Sequence, residues 1–153
     1  MHEWHFLVEF IPTSVLPPAV DERGIYPEGS YWDKTVPKQD VERLLTRQLG
    51  RPKKTTHGVL DVWGAEEGDH ILAAFLENFE PRRLIFLTGL IDARSPSESF
   101  MKLLCELAIA LECYFFAFDQ DSRIDPVFAD LSHALTRSRA AFRYRNGRAK
   151  GEP

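Results

Sequence analysis

The stretch LIFLTGLIDARSPSESFMKLLCELAIALECYFFAF, residues 84–118, decides the predicted fold. Its two ends, 84–88 and 113–118, are short continuous apolar runs, which are typical of strands covered on both faces in the middle of a parallel sheet. The segment between them carries only a thin polar stripe at a spacing of four, so it predicts a helix that is buried nearly all round. A strand, a buried helix and a second strand indicate a βαβ unit with a right-handed crossover.

Further elements are expected on both sides of this unit. Strands are predicted over 4–10, 58–64 and 140–144. Helices are predicted over 37–50, 69–79 and 125–138, the last of them capped by Asp125. We therefore predict a single α/β domain over residues 1–145, with a mixed sheet of about five strands, a central parallel βαβ unit and about four flanking helices. A long Pro-rich loop covers 11–36, and a basic tail covers 146–153.

The 153 residues are 44% hydrophobic and 27% charged, as in an ordinary globular domain. The chain contains no run of 18 apolar residues, so no membrane span is predicted. The first residues lack the positive segment and the small-residue cleavage site of a secretory signal, so we expect a cytoplasmic protein. Cys105 and Cys113 have no Cys–His pattern beside them, which favours buried free thiols over a zinc site. We expect no cofactor and no bound metal.

Charge is distributed unevenly along the chain. The net charge is −4, but residues 1–136 hold 13 basic and 22 acidic side chains, a net of −9, while residues 137–153 hold 6 basic and 1 acidic, a net of +5. An acidic body repels phosphates, so a nucleic-acid partner is disfavoured even though the tail is basic.

The predicted topology gives the acidic residues a common place. If strands 59–63, 84–88 and 113–118 run parallel, the loops that leave them lie at one edge of the sheet, which is where ligands bind in open α/β sheets. These loops carry Glu66, Glu67, Asp69, Asp92, Asp119, Asp121 and Asp125. Acids at helix starts also complement the helix dipole, so the edge is either a set of solvated helix starts or a binding surface.

An enzyme is one alternative. The segment FDQDS, residues 118–122, follows an apolar strand and resembles the first motif of haloacid-dehalogenase-type phosphotransferases, whose carboxylates hold Mg²⁺. On that hypothesis Asp119 and Asp121 form the site. The resembling second motif precedes the first instead of following it, and none of the five histidines has a motif partner that would make a catalytic triad. We therefore do not expect an enzyme.

A basic protein partner fits the acidic edge better. Complementary charge steers the encounter of two proteins, while buried aromatic side chains supply affinity. The candidate aromatic anchors are Trp63 and the pair Tyr31 and Trp32, although each of them could also be a core residue.

The segments EWHFLVEF, GSYWDKTV, GVLDVWG and YFFAFDQDS follow one another in a layout that resembles immunity proteins of bacterial polymorphic toxins and type VI secretion effectors. The shared features are a small acidic domain, an aromatic-rich first strand, a Pro-rich loop and α/β units. The resemblance implies a cytosolic protein that binds a cognate toxin and blocks its basic active site. It transfers no functional residues, because such proteins share no fixed site.

A nucleic-acid-binding protein is the remaining alternative. It would act through the arginines of the C-terminal segment, namely Arg137, Arg139, Arg143, Arg145 and Arg148.

Overall fold

The computed structural model describes residues 1–27, 29–32, 40–56, 60–76 and 82–149. Within these ranges there are seven strands and four α-helices. The strands are β1 (His5–Pro12), β2 (Lys54–Thr56), β3 (Leu60–Gly64), β4 (His70–Leu76), β5 (Arg83–Asp92), β6 (Cys113–Ala117) and β7 (Ser122–Ile124). The helices are α1 (Val41–Leu49), α2 (Glu98–Ala110), α3 (Phe128–Thr136) and α4 (Arg139–Ala149).

All seven strands belong to one sheet in the order β2-β3-β4-β5-β1-β6-β7, and every neighbouring pair is antiparallel. The predicted central parallel βαβ unit is therefore wrong. β5 and β6 do run in the same direction and are connected through α2, but β1 lies between them and is antiparallel to both. The predicted number of about five strands is also wrong, since the described residues form seven.

The composition of β1 explains why it occupies the gap between β5 and β6. Phe6, Val8 and Phe10 point to one face of the sheet and are almost fully buried, and Ile11 is fully buried on the other face. A strand with apolar side chains on both faces is most stable in the interior of a sheet. β1 pairs with β5 through its first half and with β6 through its second half, so it joins the two parts of the sheet.

The helix predicted over 69–79 is wrong, because residues 70–76 form β4. The apolar run HILAAFL fits a strand as well as a helix when both faces are covered. In the sheet, Ile71, Ala73 and Phe75 face the helices, while Leu72 and Ala74 face the other side. A tight turn links β4 to β3, and local pairing in this hairpin overrides the weak helical pattern.

The strand predicted over 140–144 is also wrong, because these residues lie in α4. Ser138 precedes the helix, and its Oγ accepts the N–H of Ala141 at 3.1 Å. Asp125 does not cap α3 as predicted. That helix begins at Phe128 after Val127, which makes no side-chain cap.

The helix predicted over 37–50 and the buried helix predicted before 113 are both present, but α1 begins at Val41 and α2 at Glu98. Asp40 caps α1 by accepting the N–H of Arg43 at 3.1 Å. Ser97 caps α2 by accepting the N–H of Phe100 at 3.3 Å. Predictions for 33–39, 58–59, 77–79 and 150–153 lie outside the described residues.

The sheet has a different cover on each face. All four helices contribute to the core on one face, where Leu45, Leu104 and Leu131 are fully buried against the even-numbered residues of β1. On the other face a smaller cluster of Ile11, Tyr114 and Phe116 lies beneath the Pro-rich loop that follows β1. Cys105 and Cys113 are free and buried, as predicted.

We predict that the β3–β4 turn depends on glycine at position 64. Gly64 has φ of 96°, and a Cβ there would lie 2.5 Å from the carbonyl oxygen of Asp69. Gly64→Ala should lower the free energy of unfolding by about 2 kcal/mol or more, through backbone strain and the clash. Gly68 lies in the same turn, and the nearest atom to its Cβ would be 4.0 Å away. Gly68→Ala is therefore the matched control and should change stability by less than about 0.5 kcal/mol. Urea unfolding of both variants measures the difference, and equal losses would contradict the prediction.

Candidate binding surface at one end of the sheet

Three strands end at the same end of the sheet. β3, β5 and β6 occupy the second, fourth and sixth places in the sheet, so antiparallel pairing makes them run in one direction. The turns that follow them, 65–69, 93–97 and 118–121, lie at this end together with residues 1–4 ahead of β1. We call this end the rim. Loops after these three strands therefore do share an edge, although no two of the three strands are neighbours.

Carboxylates of the rim are largely bonded within the molecule. Asp92 accepts hydrogen bonds from Arg94 Nε at 3.0 Å and Nη2 at 2.9 Å. Burial opposes the ionisation of Asp92, but the bonds from Arg94 outweigh it and lower the pKa of this carboxyl. Asp69 Oδ1 accepts the Asp92 N–H at 2.7 Å, and burial raises the pKa of Asp69. Glu66 and Glu67 are exposed, so they are the predicted acids that a partner reaches most easily.

Asp119 and Asp121 hold two different parts of the structure. Asp119 Oδ2 accepts the N–H of Arg139 at 3.1 Å and so caps α4, and its Oδ1 is buried without a donor among the described residues. Asp121 accepts a hydrogen bond from the hydroxyl of Tyr26. Within the described ranges no three His, Cys, Asp or Glu side chains form a group that could hold a metal ion. The two aspartates of the Asp-x-Asp segment thus hold neighbouring elements through hydrogen bonds. Their arrangement lends no support to a Mg²⁺ site.

Four predicted partner-binding residues lie elsewhere. Asp125 follows β7, which runs back from the rim, and its carboxylate lies 3.5 Å from Arg123. Trp63 is 5% exposed and Trp32 is 2% exposed, so both are core residues and not surface anchors. Tyr31 is half-buried against the apolar cluster under the Pro-rich loop.

The turn 65–69 is held by side chains that sequence reasoning did not connect. Trp4 Nε1 and Arg94 Nη2 donate to the Glu67 carbonyl oxygen at 2.9 and 3.1 Å. The imidazole rings of His5 and His70 lie within hydrogen-bond distance of the Gly68 carbonyl oxygen, at 2.8 and 2.9 Å. The Arg94 guanidinium also lies 4.0 Å from the Trp4 ring centroid. The rim therefore mixes cations and rings with its acids, whereas the sequence predicted an acidic edge.

A buried carboxyl lies in the middle of the sheet. Glu9 is 8% exposed on the loop-covered face, and its Oε2 accepts the hydroxyl of Thr88 at 2.7 Å. Burial raises the pKa of Glu9 to about 7, and the bond from Thr88 only partly offsets this. The signal in the sequence was an acid in the middle of an otherwise apolar strand, but only the sheet shows that the acid is covered.

The Pro-rich loop is fixed to the sheet at several points. Thr13 N–H donates to a carbonyl oxygen just before β6 at 2.9 Å, and the Val15 carbonyl oxygen accepts the hydroxyl of Tyr114 at 2.8 Å. Tyr26 bonds to the rim through Asp121 and packs on two phenylalanine rings of the β6 region. We call residues 13–27 the anchored loop.

The anchored loop presents apolar side chains outward although its backbone is tied down. Leu16, Val20 and Ile25 are 85%, 45% and 53% exposed. Asp21 closes the turn between them, because its Oδ1 accepts the N–H groups of Arg23 at 2.8 Å and Ile25 at 3.0 Å. Contiguous apolar side chains that are exposed beside polar ones are typical of protein-binding surfaces.

The basic C-terminal segment is helical. Arg139, Arg143 and the aromatic Phe142 are exposed on α4, and Phe142 is 61% exposed. Arg145 folds back, and its Nη2 donates to the Thr136 carbonyl oxygen at 2.6 Å. The nucleic-acid hypothesis for these arginines stays a prediction.

No protein-family model matches the sequence, and no significant match was found among curated proteins or solved structures. Among the helices described here, none has both the length and the apolar character that crossing a membrane requires.

We predict that Glu9 lowers stability above neutral pH. Its folded pKa of about 7 exceeds the ordinary value of 4.5, so the protonated form is favoured by folding. That contribution is complete below pH 4.5 and is lost as the pH rises through 7. Glu9→Gln keeps an acceptor for Thr88 and cannot ionise, so it should be more stable than the parent at pH 8, by up to about 3 kcal/mol.

The gain should shrink toward zero as the pH falls to 4.5. Urea unfolding between pH 4.5 and 8 measures it. Glu106→Gln, an exposed change on α2, is the control and should show no such pH dependence. A constant difference between Glu9→Gln and the parent at every pH would contradict the assignment.

Proposed function

We propose that this protein is a cytoplasmic binding protein of the immunity type, which neutralises a basic protein toxin through the anchored loop and the exposed acids of the rim. The observation that carries the proposal is the anchored loop itself. Leaving apolar side chains in water is unfavourable, and fixing the backbone that carries them costs conformational entropy. A partner that binds here takes these apolar side chains out of water, and the loop that it contacts is already ordered.

The anchored loop and the rim acids lie within the reach of one partner. Tyr26 holds the loop at the β6–β7 turn, while Glu66 and Glu67 lie on the β3–β4 turn at the same end of the sheet. Four strand spacings of the observed sheet order separate the two turns, or about 19 Å. A protein interface of ordinary size buries about 800 Å² on each partner, which is enough to include both.

The charge balance supports a basic partner. Residues 1–136 carry a net charge of −9, and Asp21, Glu22, Glu66 and Glu67 are exposed. The resemblance in layout to immunity proteins implies that such a partner is a toxin with a basic active site. Carboxylates would then occupy the place of the phosphates that this active site binds.

The direct test is co-expression with the product of the neighbouring gene. That product should arrest growth by itself, and simultaneous expression of this protein should restore growth through formation of a complex. A harmless neighbour that also fails to bind would remove the immunity proposal.

We predict that the loop contributes affinity and the rim contributes association rate. Replacing both Val20 and Ile25 by serine should weaken binding at least about tenfold, because their burial on the partner is lost. Thermal unfolding should stay close to that of the parent, since both side chains are exposed. Ile109→Ser on α2 removes an equally exposed side chain, 62% accessible, and should leave binding unchanged.

Replacing both Glu66 and Glu67 by lysine should slow association more at low salt than at high salt. Glu106→Lys on α2 is the matched charge control. Stopped-flow or surface plasmon resonance measurements at two ionic strengths separate the effects. A loss of affinity equal in the control variants would point away from this surface.

A further inference from the structure

Next to the rim, β1 lacks a neighbouring strand along part of one edge. β1 pairs with β6 only from Glu9 to Pro12, because β6 ends at Ala117 and the chain then enters a tight 3₁₀ turn at Phe118–Gln120. The first half of β1 is still paired with β5 on its other edge. The sheet therefore forks between β1 and β6.

The backbone of Leu7 points into this fork. Odd-numbered residues of β1 direct their N–H and C=O groups away from β5, as the hydrogen bond from Thr13 N–H to the carbonyl before β6 shows. Even-numbered positions point toward β5, where the Trp4 carbonyl oxygen accepts the Ala93 N–H at 2.9 Å. By the register in which Glu9 pairs with Phe116, Leu7 would pair with Phe118, but the chain has turned away there. The N–H and C=O of Leu7 thus have no strand partner.

A cavity of about 300 Å³ occupies the fork. Its lining combines the apolar residues Leu7, Phe118 and Ala140 with the cationic residues Arg139 and Arg143. The volume lies at the small end of the range for ligand pockets. A lining that has both apolar and cationic groups suits a ligand with one apolar and one anionic end.

The two arginines are available to a ligand. They lie one helical turn apart on α4, and neither guanidinium has an ion pair or a hydrogen bond to any residue that the structure describes. Two acids also line the cavity, and one of them, Asp119, already accepts the N–H of Arg139 through Oδ2. Glu3 is exposed and also lines the cavity. Two guanidinium groups spaced in this way can bind one carboxylate with charge-assisted hydrogen bonds.

We propose that the fork binds the carboxyl terminus of an extended peptide with an apolar last residue. The peptide backbone would add one antiparallel rung to β1 by bonding to the N–H and C=O of Leu7. Its terminal carboxylate would bind Arg139 and Arg143, and its last side chain would lie against Phe118. This site is separate from the anchored loop and does not depend on the proposed toxin partner.

The test uses the full chain and the probe acetyl-Ala-Val-Leu with a free carboxylate. Calorimetry should show binding that weakens at least about tenfold for the same peptide ending in an amide, because the charge is lost. Arg139→Gln and Arg143→Gln should each cause a similar loss. Arg47→Gln, at an exposed arginine on α1, should not. In ¹⁵N–¹H spectra the amide of Leu7 should shift, and its hydrogen exchange should slow.

Equal binding of the acid and the amide would overturn the proposal, and so would unchanged affinity in both arginine variants. An unshifted Leu7 amide at saturating peptide would overturn the strand-addition part. N-acetyl-leucine that binds as tightly as the tripeptide would overturn the assignment of a peptide chain. Failure of the neighbouring-gene test leaves this binding unaffected, so the two proposals fail separately.

Discussion

β1 holds the two parts of the sheet together, because it pairs with both β5 and β6. Without β1, the sheet would consist of a β2–β5 meander and a separate β6–β7 hairpin. The even-numbered residues of β1 fill the core beneath the helices, and Ile11 of the same strand fills the smaller core beneath the anchored loop. Because side chains alternate along a strand, one segment serves both cores only in this register. A shift by one residue would place Glu9 beneath the helices and Phe10 beneath the loop.

Several charged side chains of the described residues are paired within the molecule. At the rim, Arg94 binds Asp92, and at the opposite end Arg82 binds Glu42 at 2.7 Å and the buried Asp61 at 3.0 Å. The two pairs made by Arg82 connect elements that lie 40 and 21 positions apart in the sequence. Breaking one partner of a buried pair is costly, whereas the intact pair adds little net stability. Their main effect is therefore to fix which turns lie together, while Glu66 and Glu67 are exposed on a turn of the rim.

One short turn positions both proposed binding surfaces. In the turn 118–121, Asp121 holds the anchored loop through Tyr26, and Asp119 holds the start of α4 through the N–H of Arg139. The same turn ends the pairing between β1 and β6 and so opens the fork. Asp119 and Asp121, which resemble a catalytic motif in the sequence, thus have a structural role, because each accepts a hydrogen bond from a distant element. A partner on the loop and a peptide in the fork would both contact elements that this turn fixes.

Elements whose signals are local could be predicted from the sequence. The apolar face of α1, the apolar surface of α2 and the alternation in β1 are local patterns, and all three are present. The turns that carry the predicted acids also lie at one end of the sheet, because β3, β5 and β6 run in the same direction. The runs 70–76 and 140–144 carried no decisive local signal. The first is covered on both faces, and such an apolar run fits either a helix or a strand. The second lies in a helix whose start is capped by the distant Asp119.

The pairing of the strands and the burial and bonding of the acids depend on the tertiary structure. The hydrogen bonds between Glu9 and Thr88, and between Tyr26 and Asp121, join residues 79 and 95 positions apart. No periodicity along the chain encodes such contacts, since they depend on which surfaces are buried together when the whole domain forms. The insertion of β1 between β5 and β6 is the largest of these long-range choices, and the covered carboxyl, the fork and the anchored loop all follow from it.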